Sequence, residues 1–235
     1  MQLFFNPQLT KNDKQFTFDK TESRHIVKVL RKKIGDSLFI TNGKGELFNV
    51  ELIIANDKNC TVQLISADKK LKPWNYYLHV AIAPTKNIDR FEWFLEKATE
   101  IGIDEITPIL CDHSERKIIK ADRLNRIIES AMKQSLKFNL PKLNGLTLFS
   151  DFIAQKHDKN LYIAHCEKID KPILKSVIKP LKDTTILIGP EGDFSTSEIT
   201  TAIQNGALPV SLGESRLRTE TAGITAIQTV SFINQ

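Results

Sequence analysis

The sequence predicts an α/β protein in which a parallel sheet fills the larger C-terminal part and a small β-rich unit precedes it. Three observations carry this. Residues 184–223 read as strand, Gly loop, helix, strand, Gly loop, helix. The first of those strands is a continuous apolar run, Ile186-Leu187-Ile188, as suits a strand buried on both faces of a parallel sheet. Residues 1–70, in contrast, hold short strand-like runs separated by Asn- and Gly-rich turns.

Composition narrows the function classes. The 235 residues suffice for one large or two small domains. No apolar run approaches a membrane-spanning length, so no membrane partner is expected. The opening residues lack a basic region ahead of an apolar core, so no signal peptide is expected either. Cys60, Cys111 and Cys166 lie far apart and form no CxxC, and no His pair has metal spacing. This predicts buried free thiols in a reducing cytoplasm and no metal. The formal charge of +5 is compatible with RNA but not diagnostic of it.

In the front unit, Phe4-Phe5 and residues 16–18 read as strands. Asp19 or Thr21 caps a helix over residues 22–31, with Ile26, Val29 and Leu30 on one face and Gly35 as its stop. Residues 37–41 and 47–54 form a hairpin about Asn42-Gly43-Lys44-Gly45, and residues 61–65 follow as a strand. His25, Lys28, Arg31, Lys32 and Lys33 put positive charge on the helix and its exit; this is either a solvated face or an RNA contact. Residues 67–75, charged and containing Pro73, read as the linker, so the units divide near residue 70.

The second unit opens with a strand over residues 77–83 and a helix over residues 88–101. Ile88, Phe91, Leu95, Ala98 and Ile101 form the inner face of that helix, and Gly102 ends it. Residues 106–110 form a strand. A helix over residues 121–136 turns Leu124, Ile127, Ile128, Ala131 and Ser135 inward. Arg123, Arg126, Lys133 and Lys137 fall in a sector about 80° wide on its outside. With Arg116, Lys117 and Lys120 upstream, this stripe could follow a phosphate backbone, or be a wet face. Residues 161–164 form another strand, with His165 at its exit. After the 184–188 strand, Ser195 and Glu198 have capping-box spacing, Asn205-Gly206 ends the helix, and residues 208–212 form the next strand. The last helix carries Ala222, Ile224, Ile227, Val230 and Ile233, and residues 221–235 hold no charge. Such a helix must be covered by a core or a partner, and a homodimer contact is expected.

Right-handed crossovers place both Gly loops at the carboxyl edge of the sheet, where open α/β sheets bind ligands. Glu191, Arg218 and Glu220 lie beside them. The chain lacks GxGxxG, GxxxxGK followed by Ser or Thr, and GxSxG, which removes three common nucleotide-binding and hydrolase readings.

Gly189-Pro190-Glu191-Gly192, then Leu212-Gly213, then Leu217-Arg218-Thr219-Glu220-Thr221-Ala222 resembles the bacterial 16S rRNA uridine-N3 methyltransferase family of the SPOUT class. The resemblance extends to residues 25–31, Gly35-Asp36, Lys86, residues 96–102, residues 114–116 and Gln134-Ser135. It implies a PUA-like RNA-binding domain over residues 1–70 and a SPOUT domain with a trefoil knot over residues 71–235. It implies S-adenosylmethionine as donor, S-adenosylhomocysteine as product, a cytoplasmic homodimer, and uridine 1498 of 16S rRNA in the small ribosomal subunit as target. The cofactor role falls to Leu187, Ile188, Gly189, Glu191, Gly192, Leu212, Gly213, Leu217 and Thr219, with His165 lining the site. Arg218 is the expected phosphate or carbonyl contact. Glu220 is the expected base, or else pins Arg218 or the helix start. RNA contacts fall to His25, Lys28, Arg31, Lys86, Arg116, Arg123, Arg126, Lys133 and Lys137. Three positions depart from the family pattern: Asp193 for a third glycine, Lys137 for arginine and Gly223 for alanine. A SPOUT enzyme acting elsewhere on RNA and a non-catalytic ribosome-assembly protein are the alternatives.

Overall fold

A computed structural model describes residues 1–155 and 160–235, which divide into two units. The first comprises residues 1–73 and 132–140, the second residues 74–131 and 141–235. Residues 132–140 thus belong with the front unit, which a single cut near residue 70 does not anticipate. The reason is local: Gly45 N–H donates to Phe138 O and Leu140 N–H to Gly43 O, so the returning segment completes the Asn-Gly turn.

The first unit holds strands β1 (Leu3–Phe5), β2 (Gln15–Thr17), β3 (Ser37–Thr41), β4 (Glu46–Ile54) and β5 (Thr61–Lys69) in the order β1-β3-β4-β5-β2. Phe4, Ile26, Leu38, Ile40, Phe48 and Leu52 are fully buried in its core. β5 runs on to Lys69, pairing Lys69 with Glu46, so residues 67–69 are exposed strand and not linker.

Asp19 caps helix α1 (Lys20–Arg24), its Oδ1 accepting from Glu22 N–H at 2.8 Å. The chain then widens into a π-turn over His25–Val29, where Leu30 N–H donates to His25 O. An inner face of Ile26, Val29 and Leu30 presumes 3.6 residues per turn. The wider turn swings Val29 out to 67% exposure and brings in Val27 beside Ile26 and Leu30. Arg31, at φ 54°, ends the helix before Gly35 is reached.

The second unit contains β6 (Leu78–Ile82), α2 (Ile88–Ile101), β7 (Glu105–Leu110), α3 (Ala121–Gln134), β8 (Lys142–Leu143), β9 (Thr147–Leu148), α4 (Phe149–Ile153), β10 (Asn160–Ala164), α5 (Leu174–Val177), β11 (Thr184–Ile188), α6 (Thr196–Gln204), β12 (Leu208–Val210) and α7 (Thr219–Ile233). α3 spans the division at residue 131. The strands run parallel in the order β12-β10-β11-β6-β7-β8, with β9 paired to β7. β11 lies between β10 and β6 and is buried along its whole length, which accounts for its apolar run. β12 is parallel to β11 but separated from it by β10, so the chain returns past an earlier strand.

Helix α7, uncharged after Glu220, is covered in part by its own unit. Gly223, Ala226, Ile227 and Val230 are buried, packed on α2 and β6. A Cβ on Gly223 would lie 2.6 Å from a Phe94 ring carbon and 2.9 Å from Ile82 Cδ1, so glycine is what allows the helices to approach here. Phe232 remains 66% exposed. Cys60 and Cys111 are buried free thiols, but Cys166 is exposed, contrary to the expectation for all three. No helix among the described residues is long and apolar enough to cross a membrane.

Candidate active site

The carboxyl edge of the sheet carries the loops after β10, β11 and β12. The loop after β11 turns tightly at Gly189, where a Cβ would approach Phe194 Cδ2 at 3.0 Å and Phe194 N at 3.1 Å. It then enters α6 through the Ser195–Glu198 capping box, with both reciprocal bonds made. Asp193 holds φ 66°, a left-handed conformation that explains why glycine suits this position. Its carboxylate offsets the strain: Oδ2 accepts from Cys166 N–H at 2.7 Å and Oδ1 from Phe194 N–H at 2.9 Å. The departure from glycine therefore ties the exit of β10 to the loop after β11. Thr219 Oγ1 donates to Gly189 O at 3.1 Å, fastening the start of α7 to the same loop. Thr219 is thus a bridge and not the helix cap; the N-cap is Arg218, which makes no side-chain capping bond. The loop after β12 leaves at Gly213, whose φ of 132° excludes most side chains.

Between these loops lies a cavity of about 470 Å³ lined by His165, Cys166, Lys171, Leu212, Gly213 and Leu217 among others. A smaller lobe of about 260 Å³ carries Ile188, Gly189, Glu191, Asp193, Arg218 and Thr219. The two share Ala164, Cys166, Arg216, Leu217 and Ala222. His165 is buried, and neither ring nitrogen has a hydrogen-bond partner. Burial, with Lys171 nearby, lowers its pKa below the usual imidazole value. Partial desolvation at the cleft wall, with Asp193 nearby, raises that of the Cys166 thiol, although the residue as a whole is exposed.

Most of the residues expected at the site line this wall, and Leu187, Gly192 and Glu220 do not. Leu187 packs in the apolar core with Ala83, Ile163 and Phe194 and lines neither lobe. Gly192 faces His113, whose Nδ1 lies 3.1 Å from Gly192 O. Glu220 also lines neither lobe and does not pin Arg218. It is buried, with Oε1 3.9 Å from Arg90 Nε and Oε2 without a partner. Arg216, Lys171 and Arg90 have no sequence signature, because single cations in loops and first turns carry no periodic signal.

The expected RNA contacts are mostly tied to acidic or backbone partners. Arg123 pairs with Glu92 at 2.5 Å and with Asp89 at 3.8 Å, and Lys133 pairs with Glu22 at 3.2 Å. The basic stripe on α3 therefore does face acids, which neighbouring elements supply. Leu136, at φ 53°, ends the helical path before Lys137. Lys86 pairs with Glu115, Lys28 with Asp57 at 3.8 Å, and His25 Nδ1 lies 3.6 Å from Glu22. Arg116 donates to Thr85 O at 2.9 Å and Lys86 O at 2.5 Å, so its guanidinium braces a loop. Arg126 and Arg31 are exposed.

Fold and site together define an α/β ligand-binding domain with a glycine-walled cleft at the carboxyl edge of a parallel sheet. The chain belongs to the RNA methyltransferase family: the RNA methyltransferase domain matches residues 72–231, and the RNA methyltransferase PUA domain matches residues 18–65. Ribosomal RNA small subunit methyltransferase E of Buchnera aphidicola is 32% identical, over 91% of this chain and 86% of that protein. The protein of the same name from Rickettsia conorii is 28% identical over 98% and 95%. A crystal structure of a probable rRNA-methyltransferase from Porphyromonas gingivalis aligns with a TM-score of 0.93 at 41% identity, covering 100% of this chain and 98% of that one. A Legionella pneumophila methyltransferase, solved with its bound cofactor SAM, aligns with a TM-score of 0.87 at 26% identity, covering 99% and 97%.

Proposed function

We propose that the chain transfers a methyl group from S-adenosylmethionine to N3 of uridine 1498 in 16S rRNA of the small ribosomal subunit. The observation that carries this reading is the two-lobed cleft between the loops after β10, β11 and β12, with the glycine turns at its rim. A cleft of about 470 Å³ has the size of a nucleoside-cofactor site. The orphaned ring nitrogens of His165 call for a polar ligand, since buried polar atoms without partners are costly.

The backbone of Ile188, Gly189, Leu212, Gly213 and Leu217 would read the adenine edge, with the Leu212 and Leu217 side chains against its ring. The chemistry supplied there would be a sulfonium methyl from S-adenosylmethionine, the N3–carbon bond forming as the sulfur–carbon pair returns to sulfur, with S-adenosylhomocysteine as the product. Arg218, exposed at the rim of the smaller lobe, would meet the substrate's charge. The front unit, with His25, Lys28 and Arg31, would hold RNA; in the second unit Lys86 and Arg126 would be the RNA contacts. Arg123, Lys133 and Lys137 are secondary contributors, Arg116 a brace. The strand order, in which β12 follows α6 past β10, is compatible with a trefoil knot, and the knot is part of the proposal. So are a homodimer, for which the exposed Phe232 and the half-buried Ile224 of α7 offer an apolar contact, and a cytoplasmic site of action.

The test is a calorimetric titration with S-adenosylmethionine. The wild type should bind, Leu217→Arg should not while keeping its circular dichroism spectrum, and Arg218→Ala should bind but fail to methylate small subunits. A wild type that does not bind S-adenosylmethionine overturns the reading.

A further inference from the structure

A second cavity of about 470 Å³ opens on the same sheet edge and belongs to neither lobe above. Lys86, Asn87, Arg90, Glu115 and Glu191 line it. Glu191 also lines the smaller lobe, so the two spaces share a wall. That wall is built. Lys86 N–H donates to Glu191 Oε1 at 2.9 Å, and Arg116 grips the carbonyls of Thr85 and Lys86. The Lys86 ammonium is taken by Glu115 at 2.7 Å. The remaining cation is Arg90, in the first turn of α2. Glu220, in the first turn of α7, lies beside it, with 3.9 Å between Oε1 and Nε. A buried carboxylate without a hydrogen-bond donor is costly unless a cation stands beside it. Glu220 is such a group, and Arg90 is the cation that stands beside it, as an ion pair without a hydrogen bond. The two terminal nitrogens of Arg90 make no hydrogen bond among the described residues.

Methylation at N3 makes a demand that a cation of this kind can meet. The N3–H bond lies in the uracil plane, and the pair that holds the proton is the pair that must attack. A base still bonded to that hydrogen would stand where the methyl must arrive. The proton therefore leaves first, to solvent: the N3–H bond breaks, the pair stays on N3, and its charge spreads to O2 and O4. A fixed guanidinium beside those oxygens stabilises the anion without obstructing N3.

We propose that this cavity receives the target uracil, with Arg90 as the catalytic residue that stabilises the N3 anion and Glu220 as the residue that positions Arg90. The proposal rests on the uridine-N3 reading above. It replaces the expectation that Glu220 is itself the base.

The test uses the full-length protein and a small-subunit RNA fragment carrying uridine or 5-fluorouridine at the target; fluorine makes N3 more acidic. Without cofactor, at a pH where only the fluorinated base is ionised, the wild type should bind the 5-fluorouridine RNA more tightly. Arg90→Gln should bind both alike. In turnover with uridine, Arg90→Gln should lose about a hundredfold to a thousandfold in kcat. The loss should be much smaller with 5-fluorouridine, and S-adenosylmethionine binding should be unchanged. Arg90→Lys keeps a charge without the fork and should fall between, as should Glu220→Gln. Equal losses on both RNAs overturn the proposal. So does a loss confined to KM that disappears at low salt, which would mean that Arg90 grips a phosphate. A wild type that methylates neither RNA at N3 refutes the underlying reading instead.

Discussion

Asp193 gives the sharpest test of how the glycine loop is built. It holds φ 66°, where a side chain costs about 1–2 kcal/mol, with Asp at the low end of that range. Against this stand two carboxylate hydrogen bonds, to Cys166 N at 2.7 Å and Phe194 N at 2.9 Å. The residue is half-buried, so each bond contributes about 1 kcal/mol. Asp193→Gly loses both bonds but relieves the strain, for a net destabilisation of about 1 kcal/mol. Asp193→Ala loses the bonds and keeps the strain, for about 2 kcal/mol or somewhat more. The variants should therefore melt in the order wild type, Gly, Ala, with steps of about 2–4 °C each for a chain of this length. Asn, which tolerates the left-handed region and keeps one acceptor, should lie near Gly. The assay is thermal unfolding followed by circular dichroism, with S-adenosylmethionine affinity measured in parallel. An Ala variant as stable as the Gly variant would refute the strain argument. A Gly variant as stable as wild type would refute the hydrogen-bond argument.

Glu105, at the start of β7, gives a pH prediction. Burial raises its pKa, but bonds from Asn144, Lys142 and Tyr77, with His79 nearby, outweigh that and bring it from 4.5 to about 2. Its folded value lies below its unfolded one, so its stabilisation is complete above pH 4.5 and is lost as pH falls towards 2. Glu105→Gln should lower Tm at pH 7 and flatten the acid decline across that window; an unchanged acid slope contradicts this. The π-turn predicts that Val29→Ala shifts stability by about 0.5 kcal/mol or less, whereas Ile26→Ala costs about 2–5 kcal/mol. Equal costs in urea melts would restore the regular helix face. Cys166 is the exposed thiol and lines both lobes of the cleft, so maleimide should label it ahead of Cys60 and Cys111, and S-adenosylhomocysteine should protect it. Labelling at the same rate with and without that ligand would place the ligand elsewhere.

Periodicity and caps were legible wherever backbone geometry is regular. α2 begins at Ile88 and ends at Ile101, and β3 spans Ser37–Thr41, both as read from residue patterns. The Ser195 capping box is present with both of its bonds. Legibility failed where the backbone leaves its ideal form or where long-range contacts decide. Val29 lies outside the inner face that its spacing predicts, because one widened turn shifts the phase of a helix. Residues 132–140 join the front unit through backbone bonds to a distant turn, and no local signal marks those bonds. The need to cover α7 was legible in the lack of charge over residues 221–235. Its cover is partly intramolecular because Gly223 lets Phe94 approach, a contact between residues far apart in sequence. At the candidate site, the glycine loops and Arg218 were legible as a motif. The partner of Glu220 was not, because Arg90 lies on another helix.

The central claim is methyl transfer to one atom of one base. It is tested most directly by incubating the protein with isotopically labelled S-adenosylmethionine and unmethylated small subunits, digesting the RNA, and locating the label by mass spectrometry. The account predicts a single labelled nucleoside, 3-methyluridine at position 1498, that is absent when Arg218→Ala replaces the wild type. Label on a ribose hydroxyl, at another nucleotide, or on no RNA at all would contradict it.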